Sequence, residues 1–147
     1  MDPRLTSAFW TLRIAFGLTA FLAGLDKFLN LLTSWTDYIN PVVLQLVPLD
    51  PEMLIRAIGI VEIAIGLAIL TRWTRIGAYA AALWLVVLAV NLASMQRFLD
   101  VAVRDLLLAA CAFALARLTE VRQADMVVET DAREWEASPR EILTLKL

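Results

Sequence analysis

Apolar residues in this chain do not alternate with polar ones. They gather into four long blocks, at residues 7–32, 53–70, 76–95 and 99–118, separated by short polar breaks. A bilayer's hydrocarbon core requires roughly 20 residues of helix, and each block approaches or exceeds that length. A helix that is apolar all round is a buried or membrane helix, not a surface helix of a water-soluble domain. The pattern therefore predicts an all-α fold, a four-helix transmembrane bundle.

The breaks differ in kind. Residues 33–52 form the longest, with Asp37, Asp50 and Glu52, no Lys or Arg, and the punctuation Asn40-Pro41, Pro48 and Asp50-Pro51. Between the prolines, the apolar run 42–47 is far too short to span and reads as a re-entrant or interfacial segment, with Trp35 and Tyr38 at headgroup level. Pro51 suits the first turn of the second span, with Asp50 as its N-cap. Thr71-Arg72-Trp73-Thr74-Arg75 reads as a tight basic turn.

All five glycines lie inside spans and none in the breaks, which marks them as helix contacts, since small residues let backbones approach closely in lipid. In the first span, Arg13, Gly17, Ala20, Gly24 and Lys27 fall on one face at about 100° per residue, and that face is expected to meet the other helices. The chain thus divides into a membrane domain, 1–118, and a polar tail, 119–147. In the tail, Met126-Val127-Val128 is a weak strand signal and Ser138-Pro139-Arg140-Glu141 a capping box for a short terminal helix. The tail reads either as a partly ordered solubilising segment or as a docking segment.

Composition agrees with lipid as the solvent. Of 147 residues, 61% are apolar, against about 45–50% in soluble domains, and the mean hydropathy is +0.72. The tail holds 7 acids and 4 bases and the preceding residues 8 and 9, so the acidic balance belongs to the tail. No basic stripe points to nucleic acid. Arg4 and Arg13 bracket no short apolar core with a cleavage site after it, so the N-terminus is not read as a signal peptide. Arg72 and Arg75 fall on one side with Arg4, Arg117 and Arg122. The acidic loop and Arg97 fall on the other, with Arg56 and Arg104 at its boundary. The positive-inside rule then gives four spans with both termini in the cytoplasm, and the expected location is the cytoplasmic (inner) membrane.

A single Cys111 allows no internal disulfide and no CxxC pair. The absence of histidine removes the usual ligand sets for zinc, haem and non-haem iron, along with serine triads and histidine proton shuttles. Any redox cofactor is then organic or carried by a partner, and no catalysis by the chain alone is expected.

Six ionisable residues fall within the spans: Arg13, Asp26, Lys27, Glu62, Arg104 and Asp105. Each costs about 2.5–3.5 kcal/mol alone at a helix centre, so pairing, snorkelling or water must relieve most of it. Depth places Asp26, Lys27, Asn91, Arg104 and Asp105 in the outer half. The expected pairs are Lys27 with Asp105 and Asp26 with Arg104, with Asn91 close by. Glu62 lies deeper, where Arg13 is the only base that could approach it. Such pairs can simply fix helix register, form an outward-opening pocket for a headgroup or quinone ring, or place Glu62 on a proton path.

The order Arg13…Gly17…Gly24-Leu25-Asp26-Lys27-Phe28, then Gly59-Ile60-Val61-Glu62…Gly66, then Asp100-Val101-Ala102-Val103-Arg104-Asp105 resembles the DoxX-like family of small membrane proteins. The resemblance covers about residues 10–118 and leaves the tail out. It implies a four-helix membrane bundle and highlights Arg13, Lys27, Glu62, Arg104 and Asp105. The family takes its name from a subunit associated with thiosulfate:quinone oxidoreduction. The functional expectation is an accessory subunit of a larger respiratory or photosynthetic electron-transfer complex, held among lipid and other membrane subunits and bordering a quinone site. The alternative is an independent quinone- or lipid-binding protein with its pocket around Lys27 and Asp105. A transporter ranks last, because no inverted repeat or midplane helix break supports alternating access.

Overall fold

The computed structural model describes residues 3–137. Helix α1 spans Pro3–Leu29, a 3-10 turn covers Trp35–Tyr38, and α2 is a short helix, Pro41–Leu46. Helices α3 (Pro51–Leu70), α4 (Thr74–Ser94) and α5 (Leu99–Ala137) follow, and no strand occurs among the described residues. The four long helices run up and down. One end of the bundle, the turn end, holds the start of α1 and the α3–α4 turn; the other, the loop end, holds residues 30–50 and the α4–α5 connection.

Local chemistry sets the helix limits. Asn30 stops α1 in the left-handed conformation (φ 51°) that asparagine tolerates, and its N–H donates to the Asp26 carbonyl at 2.7 Å. Asp50 caps α3 as expected, its carboxylate accepting from Glu52 N at 3.2 Å with Pro51 in the first turn. Asn40 does the same for α2 by accepting from Val42 N at 2.9 Å. The 33–52 break is thus a 3-10 turn and a two-turn helix, and α2 adds a fifth helix to the four expected.

The largest departure lies in α5, which does not stop near 118. It continues through the predicted strand signal at Met126-Val127-Val128 as one helix of 39 residues. No Gly or Pro interrupts the chain between Pro51 and Pro139 except Gly59, Gly66 and Gly77 inside α3 and α4. Side-chain pairs one helical turn apart, Arg117 with Glu120 and Arg133 with Glu129, fit an exposed helix. The capping box at Ser138 lies outside the described residues.

Packing follows the glycines. A Cβ on Gly24 would lie 2.6 Å from the Gly59 carbonyl oxygen, and one on Gly66 would lie 2.8 Å from the Gly17 carbonyl oxygen. These contacts run in opposite senses along the two helices, so α1 and α3 are antiparallel with their backbones in direct contact. Helices α4 and α5 form a second close pair, and the two pairs join more sparsely. At the turn-end half the core is built from Phe9, Ile65, Ile69, Leu115 and the alanines 78, 81, 112 and 116. At the loop end a smaller group of Ala89, Leu92 and Ala102 lies under Tyr38, Phe98 and Val101. Small residues dominate the interior, while Leu18, Leu22, Ile60, Leu67, Leu83, Val87, Leu107 and Phe113 face outward. That inversion suits helices solvated by lipid. Among the described residues, three helices are long and apolar enough to cross a membrane: Arg4–Leu29, Pro51–Leu70 and Thr74–Ser94.

A polar layer between two apolar cores

Between the two cores lies a layer of polar side chains drawn from all four long helices: Lys27 of α1, Glu62 of α3, Trp84 of α4 and Asp105 of α5. Lys27 Nζ donates to Glu62 Oε2 at 2.6 Å, and the two side chains are 6% and 8% exposed. Trp84 Nε1 reaches Glu62 Oε1 at 3.5 Å. Asp105 is buried within electrostatic range of Lys27 and bonded to its exposed neighbour Arg104 at 3.2 Å. Unpaired charges at this depth would be expensive, and the lysine–glutamate contact offsets part of that cost for both partners.

The loop roofs the layer. Lys27 Nζ lies 3.8 Å from the centroid of the Trp35 ring, a cation–π contact, and Trp35 Nε1 donates to Asp26 Oδ2 at 2.8 Å. Asp26 also accepts from the backbone N–H groups of Leu31 (3.0 Å) and Leu32 (3.3 Å), so its carboxylate fastens the chain leaving α1. Farther along, Asn91 Nδ2 donates to the Tyr38 carbonyl at 2.8 Å, and Asn40 Nδ2 donates to Ser94 Oγ at 2.7 Å. Tyr38 stacks on Phe98 at 4.6 Å. Together these contacts latch the loop to α4 and to the α4–α5 connection.

The expected pairings are therefore corrected. Lys27 pairs with Glu62 rather than directly with Asp105. Asp26 binds the loop and not Arg104, whose guanidinium stays 64% exposed beside Asp105. Asn91 serves the loop latch. Arg13 does not approach Glu62. Its Nε donates to the Ile69 carbonyl at 3.0 Å, and its Nη2 donates to those of Leu70 (2.8 Å) and Thr71 (2.6 Å). Arg13 thus closes the C-terminus of α3, where a cation and free carbonyls attract. Its distance from Lys27 is about 21 Å along α1 at 1.5 Å per residue. Trp35 and Trp84 were not singled out from the sequence as site residues. The usable signal was that a buried indole N–H needs an acceptor, and Asp26 and Glu62 lay among the candidates.

The family model for DoxX matches residues 8–94, more than half of the chain. The chain belongs to the DoxX family. With its three apolar helices of spanning length, it is a membrane protein. No curated protein and no solved structure matches the chain. The DoxX match takes in Arg13, Asp26, Lys27, Glu62 and Asn91 but ends at Ser94. The segment carrying Arg104 and Asp105, part of the likeness read from the sequence to about residue 118, lies beyond it.

Proposed function

We propose that this DoxX protein is a four-span accessory subunit of the cytoplasmic membrane that packs against a larger electron-transfer complex, performing no chemistry of its own. Its membrane domain covers residues 1–118, and both termini lie in the cytoplasm. Helix α5 counts as the fourth span despite its charges. Asp105 points into the polar layer, Arg104 can snorkel, and Leu106, Leu107 and Phe113 face outward like their counterparts on the other helices. The observation that carries the subunit reading is the course of α5 beyond the bundle. Past the turn end it exposes Val121, Met126, Val127, Val128 and Trp135, apolar groups that a merely solubilising tail would lack. The electron-transfer setting rests on the family likeness described from the sequence.

The alternative, a quinone or lipid pocket at Lys27 and Asp105, is favoured by the buried Asp105 carboxylate, whose hydrogen-bond partner is its solvent-exposed neighbour. Against it, the donors that a quinone carbonyl would need are engaged: Lys27 on Glu62, and the Trp35 N–H on Asp26. The residues as arranged hold one another more readily than a ring.

The test is purification of the full chain from its native membrane in mild detergent, with mass spectrometry and an absorption spectrum of one fraction. Co-migration with redox subunits in fixed ratio, lost when the chain is cut after Glu120, is the expected result. A protein that runs alone, unaffected by that truncation and stabilised by added quinone, would replace the subunit reading with the pocket.

A further inference from the structure

The turn end collects charge that the polar layer does not use. Arg13 and Arg122 lie over the same two aromatic rings. The Arg13 guanidinium carbon is 4.9 Å from the Trp10 centroid and 5.9 Å from that of Phe9, and the Arg122 carbon is 5.5 Å and 4.8 Å from the same two. Among the described residues, no ion pair reaches either guanidinium. Glu120, an acid at this end, is held by Arg75 at 3.0 Å, by Arg117, and by the Tyr79 hydroxyl at 2.9 Å. Arg122 Nη1 is buried and finds no acceptor among the described residues. Two adjacent like charges with a buried, unanswered donor are an unfavourable arrangement unless an anion completes it. Next along α5, Gln123 lines a groove of about 560 Å³ with Arg72, Trp73, Arg75, Ile76 and Tyr79.

We infer that this end of the bundle is a binding site for the phosphate of an anionic phospholipid, held by Arg122 and Arg13. Arginine suits the task because its planar fork of donors matches phosphate oxygens. Two features select a lipid over a soluble anion. The guanidiniums are seated on Phe9 and Trp10, at the margin of the apolar helices, and the exposed Trp73 is the residue type found at headgroup depth. The site does not depend on the Lys27 region or on the accessory-subunit reading.

The test is native mass spectrometry of the full chain released from mixed micelles holding phosphatidylglycerol and phosphatidylcholine in equal amounts. The wild type should retain phosphatidylglycerol with a preference that drops roughly fivefold in Arg122→Gln, the change expected for one surface-proximal arginine. The wild type should also melt at higher temperature in phosphatidylglycerol micelles than in phosphatidylcholine micelles, a measurement that decides the matter if the variant does not fold. Equal retention of the two lipids by the wild type, or an unchanged preference in Arg122→Gln, would overturn the site. Millimolar inorganic phosphate should neither displace the lipid nor reproduce its stabilisation; if it does both, the site is one for a soluble anion and the lipid assignment falls.

Discussion

The two charged regions of this membrane protein lie about 21 Å apart along α1 and handle charge in opposite ways. Around Lys27 and Glu62 a base meets an acid on the neighbouring helix, and the pair is sealed beneath Trp35. Around Arg13 and Arg122 base meets base over shared rings, with carbonyls and aromatic faces in place of carboxylates. The first arrangement is self-sufficient and holds helices together. In the second, Arg13 is answered by the carbonyls that end α3, and Arg122 Nη1 is left without an acceptor among the described residues. Charge balance thus separates a structural centre from a binding surface within one small bundle.

Breaking the closed pair should give the largest effect. Glu62→Ala leaves Lys27 buried beside Asp105 without its nearest acceptor, and the expected loss is about 3–5 kcal/mol in detergent unfolding. The double variant Lys27→Met, Glu62→Leu should recover most of it. A double variant as unstable as the single one would mean that the pair does more than neutralise itself. Gly24→Ala comes next, at about 1–3 kcal/mol, because the new methyl would meet the backbone of Gly59 and Ile63, which cannot turn aside. Thermal melting of the variant checks this, and an unchanged midpoint would show that α1 and α3 can separate at no cost.

Trp35→Ala should cost about 1–2 kcal/mol through the lost cation–π contact and the lost hydrogen bond to Asp26. It should also raise the reactivity of Lys27, which is buried in the wild type, toward amine-reactive labels. Smallest of all, Arg122→Gln should shift stability in neutral detergent by less than about 0.5 kcal/mol, since it relieves one repulsion while giving up contacts with two rings. A large loss there would place Arg122 with the structural centre and erase the contrast between the two regions.

Much of the scaffold was legible in the sequence. The apolar blocks marked the long helices, Asp50-Pro51 marked the start of α3, and glycines confined to the blocks marked the α1–α3 seam. The charge pairs were not legible, because depth along a helix does not account for the lean of the side chains. In antiparallel helices, side chains lean toward their own N-termini. Lys27 on α1 therefore leans toward the turn end and Glu62 on α3 toward the loop end, so the two close a gap in level that a depth count leaves open. Arg13 leans the other way from Glu62 and reaches the end of α3. The continuation of α5 was not legible for a different reason. Past residue 118 the apolar signal ends, and Met126-Val127-Val128 resembles a short strand. The better guide was the absence of any breaker before Pro139.

An unbroken α5 has a geometric consequence. At 1.5 Å per residue its 39 residues measure about 58 Å, nearly twice the thickness of a hydrocarbon core. Whatever meets Trp135 is therefore presented at a set height and a set compass bearing relative to the bundle. A single alanine inserted after Glu120 would raise that face by about 1.5 Å and swing it by about 100°, whereas seven would lift it by about two turns and return it almost to its original bearing. The helix acts as a spacer with a phase as well as a length.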